Sequence, residues 1–396
     1  MSGSAELLHA GSTVNTQSTL TNPGSSLSQR LLSLDVLRGL TVALMILVNN
    51  AGDGKASYAQ LRHSVWNGCT LTDLVFPMFL FIVGASIALA FRSRLTRGAS
   101  RRTILLQVLR RSLLIFIIGL ILNALPYFHL GELRFYGVLQ RIALCYAIAG
   151  AVYLWGGVAA SAATAVLALA GYWWLLAHVH VPGFGMPGVN IPLLDPVGNL
   201  PAWLDRRLLP PAHLYRHTFY DPEGLLSTIP AIATTLFGVL AASWLQTARS
   251  VQRKAAALFL IGALLLCCGL AWSHWLPLNK RLWTSSYALF TAGICMAALA
   301  FAFWCIDGPP RIRRGLTPWL VFGTNALTAY ILSEVLAVVL AAIPLRGGNL
   351  QKFLFHLLPG WLGTPSFISM LYSILFVGVC SLPVFWLYRR KIFLKI

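Results

Sequence analysis

The sequence predicts an all-α, polytopic membrane protein with about ten spans in one bundle. Three observations carry that expectation. Only 10% of the 396 residues are charged while 57% are hydrophobic, and mean hydropathy is +0.72; a water-soluble domain carries about 25% charged residues. Apolar runs approaching the ~20 residues that cross a bilayer core recur along the chain. The basic residues collect at the ends of those runs, so the formal net charge of +19 reads as membrane orientation rather than nucleic-acid binding.

Residues 1–29 are rich in Ser, Thr, Gly and Asn and lack an apolar h-region, which predicts a disordered cytoplasmic tail and no cleavable signal peptide. A single transmembrane domain, 30–396, follows. Its spans are expected near 34–50, 71–91, 104–123, 136–155, 158–178, 225–245, 256–273, 283–305, 317–343 and 367–388. The first admits Asp35 and Arg38, three residues apart on one helical face. The ninth is a candidate for tilt or a break.

Basic residues fix the orientation. Arg92, Arg94, Arg97, Arg101 and Arg102 fill the second connector, Arg249, Arg253 and Lys254 the sixth, Arg311, Arg313 and Arg314 the eighth, and Arg389, Arg390, Lys391 and Lys395 the tail. Ten spans bring all four groups to one side, so both termini are expected in the cytoplasm. The other side receives 51–70, 124–135, 179–224, 274–282 and 344–366, and the Pro- and Gly-rich 179–224 is too long for a passive link and is expected to form a cap.

The seven cysteines lie mostly inside apolar runs without CxxC spacing, as small core residues do. His213 and His217 are four residues apart, but no third ligand accompanies them, so no metal is expected. No P-loop, GxGxxG or GxSxG string supports nucleotide hydrolysis or a serine hydrolase.

Polar residues concentrate between the first two spans. His63 is the only histidine of that stretch; it is either a surface residue or a group titrating near neutrality that can take a proton. Asn49 closes the first span beside an equally polar Asn50, as a helix terminus or as an amide donor. Gln140 and Arg141 fall inside the fourth span, where a guanidinium needs a carboxylate (Asp35 or Asp73) or an anionic ligand. Glu334, deep in the ninth span, needs a partner such as Arg38 or Arg141. Asp221 and Glu223 precede the sixth span, where acidic residues also suit a helix N-terminus.

The pattern S-x-D-x-x-R-G, M-x-x-V-N and H-x-x-W-N-G-x-T-x-x-D-L-V-F-P-x-F-x-F resembles the heparan-α-glucosaminide N-acetyltransferase family, with its NagX-like bacterial inner-membrane relatives, within the transmembrane acyltransferases. Here it is carried by Ser33, Asp35, Arg38, Gly39, Met45, Val48, Asn49, His63, Trp66, Asn67, Gly68, Thr70, Asp73 and Phe76-Pro77. D-P-E-G (Asp221 to Gly224), N-K-x-L-W-T (Asn279 to Thr284) and G-T-N-A-L-T-A-Y-I-L-S-E (Gly323 to Glu334) extend the resemblance to the C-terminal part.

The resemblance implies transfer of an acetyl group from cytoplasmic acetyl-CoA to an amino sugar on the far side of a bacterial inner membrane. It makes His63 the base and Asn49 the oxyanion donor, with direct attack and an acetyl-imidazole route both open. Arg38, Gln140, Arg141 and Asn325 are then expected near the cofactor, and Trp66, Asn67, Asp73, Asp221, Glu223, Asn279 and Lys280 near the sugar. The expected acceptor is a peptidoglycan- or chitin-derived amino sugar rather than heparan sulfate, because the start of the chain carries no mammalian-type lumenal segment. The expected partners are that sugar, acetyl-CoA and the bilayer, with a homodimer left open and no nucleic acid. The rival function is a permease for N-acetylglucosamine or a related sugar.

Overall fold

The structure is a computed structural model that describes residues 31–309, 311–345 and 348–394; the expected tail at 1–29 lies outside them. Twelve α-helices are formed among the described residues: α1 Leu32–Asn49, α2 Leu71–Thr96, α3 Arg101–Ala124, α4 Val138–His178, α5 Leu200–Leu208, α6 Thr228–Leu245, α7 Val251–Trp272, α8 Ser285–Ala302, α9 Thr317–Thr324, α10 Ala326–Ala342, α11 Leu350–His356 and α12 Pro365–Arg389. The only sheet among them is a two-stranded hairpin, Pro344–Leu345 with Gly348–Asn349. Among the described residues eight helices are long and apolar enough to cross a membrane, and α9 and α10 pass the same test only as a pair, bent by 83° at Asn325. The expected break in the ninth span is therefore real.

Two expected spans, 136–155 and 158–178, appear as the single 41-residue α4. A straight helix of that length would run about 60 Å, twice a bilayer core. Gly157 interrupts it with φ 62° and ψ −149°, a conformation open essentially to glycine alone. Arg141 in the first half and Leu169 in the second then reach the same neighbourhood: the Arg141 guanidinium lies 5.3 Å from the Trp283 ring, and the Leu169 carbonyl accepts the Ser285 hydroxyl at 2.7 Å. The element is a helical hairpin, so it supplies two spans.

Local sequence explains the boundaries. Ser100 and Ser250 cap α3 and α7 by accepting the N–H groups of Thr103 and Arg253. Helices cross where glycine removes the side chain: a Cβ on Gly39 would stand 1.7 Å from the Trp319 carbonyl oxygen, and one on Gly323 2.0 Å from that of Asp35. On α3, Leu106, Leu109, Leu113, Ile117 and Ile121 form an exposed apolar stripe at helical spacing, and Leu260 and Leu264 do the same on α7. Such faces suit lipid.

The two ends of the bundle differ in charge. Arg92, Arg101, Arg249, Arg253, Arg311, Arg313, Arg314, Arg389 and Arg390 are exposed at one end. Asp73, Asp205, Asp221 and Glu223 lie at the other, around the connectors that follow α1, α3, α4 and α7.

Candidate functional site

His63 leaves the connector just before α2, and Asp73 stands in the first turn of that helix. Thr70 and Asp73 form a capping box. Asp73 Oδ2 accepts the N–H groups of Thr70 (3.0 Å) and Ser64 (3.1 Å) and the Thr70 hydroxyl (3.0 Å). Oδ1 lies 2.7 Å from His63 Nδ1. An ionised carboxylate only accepts, so Nδ1 carries the proton and Nε2 keeps its lone pair. The His63 side chain is 43% exposed and that of Asp73 0%, so the imidazole faces outward while the carboxylate behind it is sealed.

Lys280 reaches the same cluster from the connector after α7. Its Nζ is 3.1 and 3.2 Å from the two His63 ring nitrogens and 3.9 Å from Asp73 Oδ1. Burial pulls the Lys280 ammonium below its ordinary value, against the opposing charges of Glu223 and Asp73. Asn279 fixes this connector: its amide donates to Asn67 Oδ1 at 3.1 Å, and its own Oδ1 accepts the Leu282 N–H at 2.9 Å. Trp66 donates to the Leu194 carbonyl at 2.8 Å and meets Tyr220 edge-on at 5.1 Å, tying two connectors together. Cys69 is the thiol nearest this cluster in sequence. Burial, then the Asp73 charge, pushes it up to about 12, so it offers no thiolate.

A second charged cluster stands beside the first. Arg134 grips Asp221 through Nε (2.8 Å) and Nη2 (2.5 Å), and Nη2 also donates to Glu223 at 2.5 Å. The Tyr215 ring lies 4.7 Å from the guanidinium carbon. Burial works to raise the Glu223 carboxyl, but the charges of Arg134, Arg141 and Lys280 hold it below the usual carboxylate range. Asp205 on α5 accepts the N–H groups of Asp221 (3.3 Å) and Leu225 (3.4 Å). Burial pushes its carboxyl up to about 7, and the charge of neighbouring Asp221 adds to this.

Other expected contacts are corrected. Arg141 pairs with neither Asp35 nor Asp73. It donates to the Gly224 carbonyl at 3.1 Å and to the Ser227 hydroxyl, because Asp73 is turned to His63 and Asp35 bonds Arg38 at 2.8 Å. Glu334 meets Asn49 Nδ2 at 3.4 Å rather than an arginine, since Arg38 is engaged by Asp35, by Ser86 Oγ at 2.8 Å and by the Gly323 carbonyl at 3.3 Å. Asn50 is buried and spends its amide on the Ile46 carbonyl at 2.8 Å, whereas Asn49 is exposed at the helix end. His213 and His217 belong to two separate 3-10 turns, not to one helix face.

The residues expected near a cofactor are divided. Gln140 and Arg141 lie towards the His63 end. Arg38 lies towards the basic end, and so does Asn325, whose side chain bonds the backbone of Ile392 and Leu394 at 3.1 Å each. Arg134 and Asp205 were not anticipated from the sequence. The available signal was Arg134 as the one arginine or lysine of 124–135, on the same expected side of the membrane as the D-P-E-G acids.

A lipid-facing helical bundle that carries at one end a half-exposed histidine on a sealed aspartate, with a lysine beside it, defines a polytopic membrane protein with a polar cluster at that end. The family model described as "Heparan-alpha-glucosaminide N-acetyltransferase, catalytic" matches residues 30–270, and the chain belongs to that family. A Mus musculus protein named heparan-alpha-glucosaminide N-acetyltransferase is 33% identical over 364 residues, 78% of this chain and 54% of the relative. The Homo sapiens protein of the same name is 31% identical over 368 residues, with the same shares. The chain spans about half the length of these curated relatives. Lys280, α9 and α10 lie beyond the family-model match.

Proposed function

We propose that the chain is a transmembrane N-acetyltransferase that passes an acetyl group from acetyl-CoA, admitted at the basic end, to the amine of a glucosamine-type sugar at the His63 end. The observation that carries this reading is the His63–Asp73 pair, a base oriented by a sealed carboxylate on the rim of a membrane bundle. Asp73 fixes the tautomer that leaves Nε2 free to take a proton from the attacking amine, and it stabilises the imidazolium that results. Asn49 supplies an amide donor for the oxygen that gains charge as the thioester is attacked. Asp221, Glu223 and the polar connector residues Trp66, Asn67 and Asn279 frame the region that receives the cationic sugar.

The basic end suits the donor. Phosphates of acetyl-CoA would meet exposed arginines there, and a groove of about 660 Å³ is lined by Arg92 and Arg101 together with Tyr153 and Trp155. The positive-inside rule places this end in the cytoplasm and His63 outside. Proteoliposomes holding labelled acetyl-CoA test the reading: external glucosamine should become acetylated while the CoA stays inside. Movement of sugar without acetylation, and without a need for acetyl-CoA, would instead mark a permease.

A further inference from the structure

We propose that Lys280 is itself an acetyl acceptor, so that the protein acetylates and silences its own site when acetyl donor is present without sugar. The inference rests on the acetyltransferase reading above. A base for amine acetylation needs the amine nitrogen within about 2.6–3.2 Å of its own nitrogen. Lys280 Nζ lies within that distance of His63 Nε2, at 3.2 Å, with no substrate involved. On the acetyltransferase reading, this is the place the acceptor's amine would take.

The lysine is no roaming surface group. Its side chain is 15% exposed, while Lys55, Lys352 and Lys391 are exposed residues. Its connector is pinned by the Asn279 bonds, by the Gly68 N–H to the Leu278 carbonyl at 2.7 Å, and by Trp283 in a left-handed conformation with φ 51°. The nearest carboxylate oxygen, Asp73 Oδ1, is 3.9 Å from Nζ, too far for a hydrogen bond that would hold the ammonium firmly. Desolvation further favours the neutral amine, the nucleophilic form.

The step balances without another reagent. The Nζ lone pair attacks the carbonyl carbon of the acetyl thioester, a C–N bond forms and the C–S bond breaks. His63 takes the proton lost by Nζ, and the departing CoA thiolate receives it. The products are Nε-acetyllysine and free CoA thiol. The amide keeps no charge for Asp73 or Glu223 and places its acetyl group against the base, so further turnover stops. Sugar bound at His63 displaces the lysine amine and protects it.

The test uses the full chain in nanodiscs, incubated with acetyl-CoA alone or with glucosamine, followed by peptide mass spectrometry and thiol titration. Lys280 should gain one acetyl group faster than Lys55 and Lys352, and CoA thiol should appear in step. Glucosamine should slow the modification in the wild type. His63→Ala should lower the Lys280 rate ~10²-fold or more, and Lys280→Arg should abolish the acceptor-independent thiol release. Lys280 modified no faster than Lys55 and Lys352, in a preparation that acetylates glucosamine, would overturn the self-acetylation proposal alone. Failure to bind acetyl-CoA or to acetylate glucosamine would overturn the enzyme reading and this proposal with it.

Discussion

The two charged clusters at the polar end are built on opposite principles. Around Arg134 the guanidinium forks onto Asp221, shares an N–H with Glu223 and lies over Tyr215, and both carboxylates are buried or nearly so. Around His63 only Asp73 is saturated; the imidazole is half open and the lysine beside it is loosely held. The first arrangement locks loops together and the second leaves a lone pair and an amine unspent. Proximity of charges is common to both clusters, and incomplete satisfaction is what sets apart the one proposed to react.

Mutation of each cluster separates them. His63→Ala should lower acetyl transfer by ~10²–10⁴ while the melting temperature hardly moves, because truncation in a half-exposed connector opens little cavity and Asp73 keeps its Ser64 and Thr70 donors. Transfer above about a tenth of the wild-type rate in a normally melting protein would sink the assignment of His63 as base. Arg134→Ala should do the reverse, costing about 3–5 kcal/mol of stability because it strands two carboxylates. A denaturation midpoint unchanged by that substitution would show that the lock is decorative. Asn49→Ala should cost ~3 kcal/mol of transition-state stabilisation, read as a fall in kcat with little change in stability.

The smallest effect per step belongs to Asp205, beneath the lock. Its folded-state value, about 7, lies above the ordinary 3.8, so between those values the folded protein holds a proton that the unfolded chain has lost. Stability should therefore fall as pH rises through that window, by up to about 1.4 kcal/mol per pH unit. Asp205→Asn should remove this component. Equal pH slopes in the melting of the variant and the wild type between about pH 5 and 7 would refute it.

Much of the scaffold was legible because hydropathy is local. Spans expected at 136–155 and 158–178 leave between them the glycine pair where the backbone turns, and the tilt or break expected of the ninth span is found as the bend at Asn325. His63, Asp73 and Lys280 stood out in the sequence and the structure brings them together, but their order was not legible, with Asp73 behind the imidazole and Lys280 in front of it. The partners of Arg141 and Glu334 were not legible, because they depend on how far each helix is rotated and raised against its neighbours. An arginine in a span announces only that it needs an acceptor; here a carbonyl and a hydroxyl provide one.

The hairpin of α4 also constrains how the chain is made. Nineteen helical residues precede Gly157 and twenty-one follow it, with no loop between them to thread across the bilayer. A translocon that released the first arm alone would leave the second dangling on the wrong side, so the two arms must enter the lipid together as a paired insertion unit. A Cβ at Gly157 would meet nothing within 4 Å, so an alanine there would fit sterically but oppose the backbone conformation. Such a lesion would act during biogenesis, as lost membrane integration and low yield, more than in the finished protein.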